Sequence, residues 1–258
     1  MPMADRAHAL AVLGLAGAVN LLHNQGWRLL PDLPWFYPLL FFVGVGTVLP
    51  ALVLGRTARR VPHAAADLGL APGRRDGVAC VVALLVGGAL AAAPLAPIVG
   101  QPGGVARVFG LFCQLLVAST AEVALFLGVM GVLLLPASGR RTRWHGAALV
   151  VVSSVAFGLF HFTYPAPWNT PATAITVGLV WLLVSTCFVL GRSLVAAVLL
   201  DNVMATVGFA TRGLSLPMPP ATALALAALA AVAFVVAYRW ARRAPDATWA
   251  GPSRGTTG

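Results

Sequence analysis

Residues 105–136 read VARVFGLFCQLLVASTAEVALFLGVMGVLLLP. Only Arg107, near its start, and Glu122, deep inside, carry charge. About 20 predominantly apolar residues in a helix cross the hydrocarbon core of a bilayer. This run is longer than that, so it predicts a transmembrane helix with one carboxyl buried in it. Similar runs extend outward along the chain, at about 8–23, 36–54, 77–99, 146–162, 172–190, 193–210 and 220–238. The expected fold class is therefore all-α, a polytopic membrane bundle of about eight transmembrane helices. No polar stretch is long enough to build a second core. Residues 1–258 are expected to form a single transmembrane domain, with a polar tail at about 243–258.

Composition agrees. Hydrophobic residues make up 59% and charged residues 9% of the chain, with a mean hydropathy of +0.89. A soluble domain carries about 25% charged residues, so too little polar surface exists to cover a water-facing exterior. The net charge of +10 comes from Arg alone, since Lys is absent. These Arg residues lie in short clusters between apolar runs, as the positive-inside rule requires, rather than in a nucleic-acid-binding patch. With the N-terminus in the cytoplasm, fourteen Arg fall inside and three (Arg28, Arg107 and Arg212) fall outside. Both termini are then cytoplasmic and the number of spans is even. Arg6 ahead of an apolar stretch, with Ala16-Gly17-Ala18 after it, resembles a signal peptide. An uncleaved first helix is more usual when many spans follow.

Trp35, Trp144, Trp168 and Trp240 sit near expected span ends, where interfacial aromatics belong. Cys80, Cys113 and Cys187 lie in apolar runs without C-x-x-C spacing, so neither a disulfide frame nor a cysteine-metal site is expected.

Three ionisable groups stand out. Glu122 is the only glutamate, Asp201 lies inside the seventh span, and His161 ends the apolar segment Phe157-Gly158-Leu159-Phe160-His161. Each shares a helix face with small residues: Ala118 and Ser119 beside Glu122, Ser154 and Gly158 beside His161, and Ala197, Ala205 and Gly208 beside Asp201. Small-residue stripes let membrane helices approach closely. Packing accounts for the stripes but not for one ionisable group on each. A hydrogen-bonded structural knot is one reading. The other is a site, since carboxylates inside a bilayer cost several kcal/mol and mark function. A carboxylate beside an imidazole can activate water. Glu122, His161 and Asp201 could instead hold a divalent metal such as zinc, with a position left open for water. Otherwise no cofactor is indicated. His161 falls nearer the outer face of the membrane than Glu122, unless the fifth span is shifted or the uncharged segment Thr163–Pro171 re-enters and brings the two level.

These residues resemble the CPBP family of intramembrane proteases, which contains CAAX prenyl endopeptidases and bacteriocin-processing or immunity proteins. That family's Glu-Glu-x-x-x-Arg motif corresponds to Glu122 through Leu127, with Val123 and Leu127 replacing the second Glu and the Arg. Its Phe-x-x-x-His motif is present as Phe157 to His161. Its His-x-x-x-Asn/Asp motif has Asp201 in the His position and Ala205 in the Asn position, in a helix opened by Ser193-Leu194-Val195. A register shifted by three would use Asn202 but put Val198 where His belongs. Asp67-Leu68-Gly69-Leu70 also fits, and the resemblance covers about residues 60–210.

The resemblance implies a protein integral to a bacterial cytoplasmic membrane, an endopeptidase whose Glu122 activates water and whose His161 polarises the substrate carbonyl. Its substrate would be a membrane-associated peptide or protein. The missing Glu, Arg and His leave open a catalytically inactive relative that binds or shields a partner. A small transporter with Glu122 and Asp201 as a proton relay is a third possibility, though no internal repeat is evident.

Overall fold

The computed structural model describes residues 3–24, 36–61, 63–71, 74–134, 142–214 and 218–243. Eight of its helices are long and apolar enough to cross a membrane. They are α1 (Met3–Asn24), α2 (Pro38–Arg60), α3 (Arg74–Val99), α4 (Gly104–Leu134), α5 (Arg143–Thr163), α6 (Pro171–Gly191), α7 (Leu194–Thr211) and α8 (Pro220–Arg243). No strand occurs among the described residues. The eight spans match the sequence expectation, with one shift. Arg56, Arg59 and Arg60 were expected in a basic loop, but α2 continues through them. Arg is a good helix former, and Asp5 on α1 draws this end of α2 inward: Arg60 Nη1 and Arg56 Nε lie 2.9 and 3.4 Å from Asp5 Oδ1. Pro31, Pro34, Trp35, Arg140, Arg141 and the tail 244–258 lie outside the described residues.

Helix α4 is the axis of the bundle. In its most apolar stretch 78% of residues are buried, against 17% in α3. It packs against α7, α8 and α2, while α3 lies on α7, and α5 pairs with α6. The outer face of α3 carries exposed Val78, Val81, Val82, Leu84 and Leu85. Apolar side chains exposed along a whole helix face hydrocarbon, and the backbone polar groups behind them are satisfied within the helix.

Close crossings follow the small-residue stripes. A Cβ on Gly158 of α5 would lie 2.6 Å from the Ala174 carbonyl oxygen of α6, and one on Gly55 of α2 would lie 2.4 Å from the Tyr238 carbonyl oxygen of α8. Polar caps define the ends. Thr170 accepts from the Thr173 amide at 3.2 Å, with Pro171 opening α6. Ser193 accepts from the Ala196 amide at 3.2 Å at the start of α7, the role expected of a residue opening that helix. Between α6 and α7, Arg192 adopts a left-handed conformation and pairs with Asp67 at 3.1 Å. The Gly69 carbonyl accepts from the Leu194 amide. The Asp67–Leu70 segment thereby docks on the α6–α7 junction.

Candidate functional site

Glu122 projects from the enclosed helix α4 just before a wider, π-helical turn at Ala124–Val129. Such turns relax the regular backbone ladder and occur often at functional sites. The Tyr164 hydroxyl donates to Glu122 Oε1 at 2.8 Å. Glu122 keeps some accessible surface, whereas Asp201 is 4% exposed. Asp201 lies within electrostatic reach of Glu122. Neither carboxyl forms an ion pair with a described residue.

Ser119, one helical turn before Glu122, lies between Asp201 and its neighbour Asn202. Its hydroxyl stands 3.5 Å from Asn202 Oδ1 and within interaction range of the Asp201 carboxyl. A hydroxyl has one proton to give, and 3.5 Å is at the limit of a useful bond. The carboxylate is the better acceptor. Asp201 Oδ2 is buried with no protein partner. Asn202, fully buried, donates to the Phe112 carbonyl at 3.0 Å and ties α7 to α4.

His161 reaches this pair indirectly. Its Nδ1 lies 2.9 Å from the Phe157 carbonyl oxygen. A carbonyl only accepts, so Nδ1 carries the proton. In the neutral ring Nε2 then presents a lone pair. The Phe-x-x-x-His spacing has a local cause: residues four apart meet on one helix face, and the two rings stand edge to face at 4.7 Å. Below them Trp181, fully buried, stacks on Phe157 at 3.8 Å, and Phe126 meets both Trp181 and Phe160 edge-on. This aromatic floor fixes the end of α5.

The chain then turns back. Tyr164, three residues past His161, places its ring 5.2 Å from the imidazole and its hydroxyl on Glu122. Tyr164 thus links the end of α5 to Glu122. His161 itself makes no hydrogen bond to either carboxyl. Among the described residues, no three His, Cys, Asp or Glu side chains gather in a way that could hold a metal ion.

Sequence reasoning passed over the ends of α1 and α2. Asn20 Nδ2 donates to Thr163 Oγ1 at 2.7 Å, and Asn24 Nδ2 donates to the Thr163 carbonyl at 3.1 Å and to Asn20 Oδ1 at 2.8 Å. Tyr37 donates to Asn20 Oδ1, and its ring stacks on His23 at 3.8 Å. Tyr37 also lies within electrostatic reach of Glu122. The first two spans therefore hold the Thr163–Tyr164 turn against the carboxyl. Two signals were available: an Asn pair four apart near the end of an apolar helix, and a chain with only three tyrosines, two of which meet here.

No family model, curated protein or solved structure matches this chain.

Proposed function

We propose that the chain is an intramembrane endopeptidase of the CPBP kind, in which Glu122 activates a water molecule to hydrolyse a peptide bond of a membrane-associated substrate. One observation carries this: a carboxyl without a cationic partner sits inside the central helix, gripped by Tyr164 and faced by Asp201. Glu122 would take a proton from water as the water oxygen attacks the substrate carbonyl carbon. The carbon–nitrogen bond breaks when the tetrahedral adduct collapses, and Glu122 returns the proton to the leaving amine.

Tyr164 gives its hydroxyl proton to Glu122, so it would orient the carboxyl that takes the proton from water. His161 could stabilise that oxyanion only as an imidazolium, because its neutral form, with Nδ1–H given to Phe157, has no second N–H. As a neutral ring it would instead accept a hydrogen bond from the water at Nε2 and orient it. Asp201 Oδ2 is free to hold the same water. The Arg count supports cytoplasmic termini, and the resemblance to the CPBP family supports a bacterial cytoplasmic membrane. The Glu122 cluster would then lie toward the outer half, because Asp5, which meets the Arg-rich end of α2, and the Asn20–Asn24 pair are at opposite ends of α1.

A second reading is an inactive CPBP-like protein that binds or shields a partner. The missing contact between His161 and either carboxyl favours it, as does Leu127 in place of Arg.

The test compares new protein N-termini in membranes from cells expressing the wild type or Glu122→Gln, followed by cleavage of an identified peptide in oxygen-18 water. Termini made only by the wild type, with heavy oxygen in the new carboxyl group, are expected. The same termini from Glu122→Gln would exclude the role given to that residue.

A further inference from the structure

At the Arg-rich end of the bundle, α2 and α8 pack so closely that Gly55 meets the backbone of Tyr238. Their ends carry Arg56, Arg59, Arg60, Arg239, Arg242 and Arg243. The carboxylate of Asp5 is engaged by Arg56 and Arg60. Arg239, Arg242 and Arg243 form no ion pair with any described residue.

Val236, Arg239, Trp240 and Arg243 recur at three- and four-residue spacing, so they share one face of α8. That face is turned away from the packing side, which buries Ala237 and Ala241. The four residues border a shallow, open depression on the helix surface, and Val236 and Trp240 are 61% and 66% exposed. An apolar side chain this exposed belongs against lipid, whereas two guanidinium groups beside it need an anion. Both demands are met at the depth of the headgroups, where an exposed Trp also belongs.

We propose that this face of α8 binds an anionic phospholipid. Its phosphate bridges Arg239 and Arg243, and its upper acyl chains lie on Val236 and Trp240. This site is independent of the Glu122 cluster.

The experiment is native mass spectrometry of the full chain in detergent, titrated with phosphatidylglycerol or phosphatidylcholine. The wild type is expected to prefer phosphatidylglycerol. At roughly a fivefold contribution per Arg near an anionic surface, Arg239→Gln combined with Arg243→Gln should weaken phosphatidylglycerol binding about thirty-fold. Phosphatidylcholine binding should be unchanged. The paired Arg→Lys variant should retain the preference, and Arg107→Gln, at an exposed position on α4, should leave it intact. Equal phosphatidylglycerol affinity in the wild type and the Gln pair would overturn the proposal. So would displacement of the lipid by millimolar inorganic phosphate, which would indicate a small-anion site.

Discussion

Acidic residues at the Arg-rich end of the bundle and those in its interior have opposite surroundings. Asp5, 1% exposed, faces Arg56 and Arg60, and Asp67 faces Arg192. Glu122 and Asp201 have only hydroxyl partners and each other. A buried carboxylate facing guanidinium groups has its charge matched where it stands, as Asp5 does through Oδ1. A pair with no matching charge costs stability and has no packing reason to persist. The first kind holds helices together, and the second is where chemistry can occur.

That contrast can be broken by mutation. The largest effect expected is on cleavage: Glu122→Gln should lower turnover about a hundred-fold or more, the usual worth of a general base, with the melting temperature in detergent nearly unchanged. Next comes packing. Gly158→Ala drives a Cβ to within 2.6 Å of the Ala174 carbonyl oxygen and should cost about 1–3 kcal/mol, as overpacking does, measured by unfolding in mixed micelles.

Asp5→Asn should cost about 1–2 kcal/mol in the same assay. Breaking a wholly buried pair costs more, but Arg56 and Arg60 are 41% and 22% exposed, so solvent screens part of the loss. Its turnover per folded molecule should equal that of the wild type. The smallest effect belongs to Asn202→Leu, which removes the bond to the Phe112 carbonyl and should cost about 1 kcal/mol. A larger loss of activity than of stability in that variant would move Asn202 from the scaffold into the site.

Hydropathy made the eight spans legible because each apolar run approaches or exceeds the length that crosses a membrane and most end at Arg, Pro or Gly. Glu122, Asp201 and His161 were legible for a related reason: an ionisable group is conspicuous in an apolar run. What periodicity could not convey is how helices far apart in sequence meet. Tyr164 lies in a loop by pattern, yet it is the group that touches Glu122. Asn20 and Asn24 precede the region of family resemblance, yet they anchor the Thr163–Tyr164 turn. The tautomer of His161 depends on its distance to one carbonyl, and residue spacing carries no such information.

The most direct measurement sets the two kinds of carboxyl side by side, with turnover and unfolding free energy measured for Glu122→Gln and Asp5→Asn in one reconstituted preparation. A water-activating Glu122 predicts lost turnover with stability kept in the first variant, and lost stability with turnover kept in the second. If Glu122→Gln instead unfolds the bundle, or cleaves as the wild type does, the interior pair is a structural joint and the protease account fails.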